Sequence, residues 1–85
     1  MEEIRYVIAD PLGIHARPAG QLVKLCTGFQ CNIQIGTQEK MVDAKRIMGV
    51  MGLAIKPGDE VIMTFLGEDA TAASAALEAF LKSEL

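Results

Sequence analysis

The only histidine in this 85-residue chain lies in the stretch GIHARPAG, residues 13–20. His15 is followed two residues later by Arg17 and then by Pro18, where apolar spacing changes to that of a helix. Proline is tolerated in a first helical turn because its missing N–H has no partner there in any case. It disfavours α geometry in the residue before it, so Arg17 is expected to sit slightly out of line. A helix start offers unpaired N–H groups and the positive end of a dipole, a combination that binds phosphate. Arg17 adds a guanidinium that can fork onto phosphate oxygens. Such a cationic setting favours a neutral, nucleophilic imidazole. The chemistry that suits His15, Arg17 and the backbone amides of Ala16 and Arg17 is a transient phosphohistidine. Gly13 supplies the turn freedom that exposes the ring. No base, second acid or metal cluster accompanies His15, which suggests a carrier rather than a self-sufficient catalyst, and its status as an enzyme is left open. The same residues also fit a plainer role, a histidine capping a helix start on the surface. H-x-R-P alone is too short to separate the two.

The elements that must position this histidine can be read from periodicity. Residues 2–9 alternate, with Ile4, Tyr6 and Ile8 on one side of a half-buried strand. Asp10-Pro11-Leu12-Gly13 is turn chemistry. Ala19, Leu22, Val23 and Cys26 recur at helical spacing and predict a helix over 16–27 stopped by Gly28. Residues 32–37 alternate around Ile33 and Ile35, 36–40 form a polar turn, and 41–44 form the second arm of a hairpin. Residues 45–55 hold one or two helical turns interrupted by Gly49 and Gly52. Lys56-Pro57-Gly58-Asp59 turns into a strand over 60–66, with Val61, Met63 and Phe65 on one face. A helix over 70–84 buries Ala73, Ala76, Leu77, Phe80 and Leu81. The order β-α-β-β-α-β-α describes a two-layer sandwich, helices covering one sheet face.

The bulk properties narrow the function. The length fits one domain, residues 1–85, near the small end of what folds alone. Hydrophobic residues make up 51% of the chain but aromatics only 5%, so the core is built of small and aliphatic side chains. A net charge of −3 without a basic stripe argues against nucleic acid. No apolar run spans a bilayer, and the acidic, alternating start is no signal peptide, so the expected location is the cytoplasm, without membrane insertion. Cys26 and Cys31 are expected to be free, partly buried thiols, and one histidine with two cysteines makes a metal site a poor fit. No cofactor is implied.

Two longer stretches carry a resemblance. PLGIHARPAGQLVKL resembles the active-site signature of HPr, the histidine-containing phosphocarrier family of the phosphoenolpyruvate-dependent sugar phosphotransferase system. KRIMGVMGLAIKPGDEVIM resembles the family's second signature in its Gram-positive form, and the likeness extends over essentially the whole chain. The resemblance implies an α+β open-faced β-sandwich, four antiparallel strands covered on one face by three helices. It implies that His15 accepts phosphate at Nδ1 from phosphorylated enzyme I, with Arg17 stabilising the phosphate, and delivers it to the A domains of sugar permeases. It further implies a partner-binding patch of Gly20, Lys24, Arg46, Ile47, Met48 and Met51, while Val50 and Leu53 are expected in the core. The expected state is a monomer. Arg46 departs from the pattern: Gram-positive members typically carry a regulatory serine there, and arginine cannot accept that phosphate. Ala16 replaces a hydroxyl residue found in many members, but its backbone amide remains. A regulatory or binding module built on this fold, or a carrier in a specialised non-sugar chain, is the alternative.

Overall fold

The computed structural model describes all 85 residues, and the seven elements follow the order read from the sequence. Strand β1 (Glu2–Val7) leads to helix α1 (Ala16–Thr27). Strands β2 (Asn32–Gly36) and β3 (Met41–Asp43) form a hairpin. Helix α2 (Ile47–Gly52), strand β4 (Glu60–Leu66) and helix α3 (Ala70–Glu84) complete the chain. The sheet order is β1-β4-β2-β3, antiparallel throughout. The hairpin therefore joins neighbours, while β1 reaches the sheet on the far side of β4.

The register explains the core. Ile4 faces Met63, which faces Ile35, and Phe65 pairs with Ile33, so apolar residues of three strands line up on one face. Ile33, Ile35, Val61, Met63 and Phe65 are all buried. The helices answer with Ala19, Leu22 and Cys26 from α1, Val50 from α2, and Ala73, Leu77 and Leu81 from α3. Truncating a residue such as Leu22 to alanine in a core of this kind costs about 2–5 kcal/mol. Ala76, Phe80 and Leu53 are only partly buried and pack on the margin of the cluster. The opposite sheet face is more polar. There Arg5 bonds Glu3 at 3.0 Å and Glu60 at 3.3 Å.

Three local readings need adjustment. Arg17 is helical, not displaced: α1 begins at Ala16 and runs through Pro18, whose ring occupies a first-turn position. Gly28 caps α1 with φ −74°, a right-handed conformation open to any residue, so it ends the helix without using glycine's special freedom. Cys26 and Cys31 are buried free thiols, not partly buried ones. No helix is long and apolar enough to cross a membrane.

The loop before α1 is pinned from several sides. The Ala9 and Asp10 N–H groups donate to the Leu85 main-chain oxygen at 2.7 and 2.8 Å. Gly13 has φ +66°, and a Cβ there would run into the Ile55 carbonyl oxygen, so only glycine fits. The next residue, Ile14, is buried and donates its N–H to that same oxygen at 3.2 Å. Ala54, just before Ile55, adopts φ +52°, which an L-residue tolerates at a cost of about 1–2 kcal/mol. The backbone that fixes Ile14, and with it the next residue, His15, thus carries strain of its own.

Candidate functional site

His15 is the N-cap residue of α1, with extended backbone (φ −91°, ψ −179°), and its side chain makes no capping hydrogen bond. The plainer role open to it, capping the helix start, is therefore not what the ring does. The His15 carbonyl accepts the first helical bond, from Ala19 N–H at 3.0 Å. Pro18 has no N–H, so the amides left to an incoming anion at this end are those of Ala16 and Arg17.

The ring stands over a shallow depression of about 220 Å³, lined by Asp10, His15, Arg17, Pro18, Gln21 and Glu84. The His15 side chain is 36% exposed, so one edge is open to a partner. Arg17 is exposed and forms no ion pair within the chain, which leaves its fork free for phosphate oxygens. The surroundings are of mixed sign rather than purely cationic. The Asp10 carboxylate lies 3.4 Å from His15 Nε2, and Glu84 contributes a second acid from the end of α3. Sequence reading missed both acids. Asp10 was visible only as a turn residue, and Glu84 comes from 69 positions away, beyond any local signal.

The expected partner-binding residues fall into three places. Ile47, Met48 and Met51 project from α2 with 36%, 79% and 39% exposure, an apolar patch unusual for so short a helix. Arg46, Ile47 and Met48 line one groove together with Val23, Val42 and Lys45. Arg46 is the N-cap residue of α2 and reaches Asp43 at 3.7 Å while remaining largely exposed. Gly20 is exposed on α1 with open space around its Cα. Lys24 is exposed as well but lines a separate groove between α1 and α3 with Leu25, Phe29 and Phe80. Val50 is buried, as expected of core.

The far end of α1 holds the thiols. Burial pushes the Cys26 thiol up to about 12. Cys31 is pushed up too, by burial first and then by its hydrogen bond to the Asp69 carboxylate. Asp69 accepts the Gln30 and Cys31 N–H groups at 2.8 and 2.9 Å, and these bonds hold its carboxyl below the usual range. Lys45 Nζ donates to the Phe29 carbonyl at 2.7 Å. Asp69 and Lys45, the charged groups beside the thiols, are both occupied with backbone. No group of histidine, cysteine and acidic residues is arranged to hold a metal ion.

On this open-faced sandwich one histidine and an unpaired arginine stand together at a helix mouth, a site fit to receive an anionic group. Comparison with known proteins specifies the group. The family described as PTS-HPr, "PTS HPr component phosphorylation site", matches residues 2–83. The chain is 46% identical over 81 residues to phosphocarrier protein HPr of Lysinibacillus sphaericus, covering 95% of this chain and 92% of that protein. It is 41% identical over 78 residues to the HPr of Mycoplasma capricolum, covering 92% and 88%. A solved HPr structure from Thermoanaerobacter tengcongensis superposes with a TM-score of 0.92 at 35% identity, covering 98% of this chain and 93% of the other. The chain belongs to the HPr family. It is a phosphocarrier of the phosphoenolpyruvate-dependent sugar phosphotransferase system, taking a phosphoryl group on its histidine from enzyme I and passing it to permease A domains.

Proposed function

We propose that His15 Nδ1 is the phosphoryl acceptor and that the whole of residues 1–85 works as one carrier domain in the cytoplasm. One observation carries this reading: the only imidazole stands uncapped at the mouth of α1 beside a guanidinium without an ion pair. In the reaction, the Nδ1 lone pair attacks phosphorus of the phosphorylated enzyme I, the donor's bond to phosphorus breaks, and the P–N bond to His15 forms. The proton on Nε2 stays in place. Arg17 and the Ala16 and Arg17 amides meet the equatorial oxygens as charge redistributes over them. Delivery to a permease A domain reverses the geometry, with neutral imidazole as the leaving group.

Ile47, Met48 and Met51 form the contact surface for both partners, with Gly20, Lys24 and Arg46 at its border. Methionine repacks readily, which suits a surface that must fit enzyme I and several A domains in turn. Arg46 has no hydroxyl to phosphorylate, so the serine-based regulation of Gram-positive relatives does not reach this chain through position 46. Its charge instead favours encounter with acidic partner surfaces.

The test is phosphorylation by enzyme I with phosphoenolpyruvate and magnesium, followed by intact mass. The expected result is one acid-labile, alkali-stable phosphoryl group, absent from His15→Ala. An adduct that survives His15→Ala would move the acceptor elsewhere and end this reading.

A further inference from the structure

Asp10 is held more firmly than a turn residue requires. Its N–H donates to the Leu85 main-chain oxygen at 2.8 Å, and its carbonyl accepts the Gly13 N–H at 2.9 Å. Within the side chain, Oδ1 accepts the Leu12 N–H at 2.8 Å, an Asx-turn contact. That bond leaves Oδ2 as the oxygen that faces His15 Nε2 at 3.4 Å. The Asp10 side chain is only 23% exposed, so the contact is partly shielded from water. The other charged groups lining the depression are Arg17 and Glu84, on α1 and α3.

From this geometry we infer that Asp10 is a positioning residue that selects the tautomer of His15. An ionised carboxylate only accepts hydrogen bonds. Facing Nε2, it favours the ring form with its proton on Nε2, and the tautomer is set by the bond made at the other nitrogen. Nδ1 then keeps the lone pair that must attack phosphorus. The inference rests on the proposal that Nδ1 is the acceptor, and it adds what keeps that atom available in every molecule.

The division of labour between the two oxygens yields a sharp test. In Asp10→Asn one carboxamide oxygen remains, and the Leu12 N–H requires it at the Oδ1 position. The carboxamide NH2 then faces His15 Nε2 as a donor. It stabilises the opposite tautomer, with the proton on Nδ1 and no lone pair there for phosphorus. In Asp10→Ala the contact is simply lost, and the ring reverts to the intrinsic preference of imidazole. The more conservative substitution is therefore the more damaging one.

Two readouts are needed. Ring 15N chemical shifts of His15, recorded on the folded protein where imidazole is neutral, report the tautomer without any partner. The rate of phosphorylation by enzyme I reports the consequence. The expected order is wild type, then Asp10→Ala, then Asp10→Asn, with the Asn variant about fivefold below the Ala variant, the ratio one ordinary net hydrogen bond supports. In Asp10→Asn the Nδ1 shift moves toward a protonated nitrogen. A purely structural turn role predicts that Asp10→Asn behaves as wild type and Asp10→Ala falls below both. A purely electrostatic role predicts equal loss in the two variants. Either result overturns the inference. Wild-type protein that accepts no phosphate would instead overturn the carrier reading, and the ring shifts would still decide the tautomer question.

Discussion

The two ends of α1 hold the same kinds of residue and do opposite things with them. At the mouth, His15 is uncapped and 36% exposed, and Arg17 forms no ion pair. At the far end, Cys26 and Cys31 are buried, Lys45 is bound to the Phe29 carbonyl, and Asp69 is occupied by the Gln30 and Cys31 amides. Both ends contain a potential nucleophile and a cation. Only the mouth leaves its nucleophile and the cation beside it open to a partner; at the far end Lys24 is exposed, but the thiols are buried and Lys45 is bound. A thiol whose ionisation is pushed up to about 12 is no nucleophile at neutral pH, whatever lies nearby. Reactivity on this fold is thus decided by exposure and by which charges the backbone has already claimed, more than by residue type.

The largest break in that contrast comes from Arg17. Arg17→Ala removes the free cation from the mouth and should lower the rate of phosphorylation by enzyme I about 100-fold, in line with the loss of one donor to a developing oxyanion. Stability in denaturant should stay unchanged, because the side chain is exposed and forms no ion pair. A rate within a few-fold of wild type would mean that the backbone amides suffice.

The far end is tested by alkali. Cys26 has an ordinary value of 9.0, which applies to the unfolded chain, and about 12 in the fold. Between these values the folded state keeps a proton that the unfolded state has lost, so stability falls as pH rises. The slope from Cys26 approaches about 1.4 kcal/mol per pH unit, a tenfold change in the folded ratio. Below pH 9 this contribution is flat. Denaturant titrations of wild type and Cys26→Ala across pH 8–11 check it, with a shallower alkaline decline expected in the variant. Cys31, raised in the same direction, retains part of the slope.

A smaller effect is expected at Arg46, on the rim between mouth and docking patch. Arg46 is 81% exposed and only loosely paired with Asp43 at 3.7 Å. Arg46→Ala should slow association with acidic partners a few-fold at low salt and not at high salt, because exposed charges act mainly on encounter. Stopped-flow phosphotransfer at two ionic strengths measures this, and an unchanged rate at low salt would leave Arg46 as a helix-start residue and nothing more.

Much of this architecture was legible because its periodicities are clean. Val61, Met63 and Phe65 alternate without a break, and Ala19, Leu22 and Cys26 keep helical spacing, so β4, α1 and α3 emerge with the observed bounds. The His15–Arg17 pairing was legible for the same reason: both belong to one helix start. What could not be read were contacts made through the third dimension. Asp10 has the sequence signature of a turn, and only the anchoring of its main chain to Leu85 and Gly13 turns one carboxylate oxygen toward the ring. Lys24 has helical spacing from Gly20, yet the two helices that flank α1 divide its surface, and Lys24 falls on the α3 side. The expected misalignment of Arg17 before proline did not arise: Ala16, Arg17 and Pro18 together form the first turn of α1, where the N–H that proline lacks has no helical partner.

The mouth of α1, on this reading, makes Nδ1 of one histidine the phosphoryl carrier. The most direct measurement is 31P and 15N NMR of uniformly 15N-labelled protein phosphorylated by enzyme I. The expected result is a single phosphorus resonance coupled to His15 Nδ1, with both cysteines unmodified. Coupling to Nε2, or phosphate on any other residue, would contradict it.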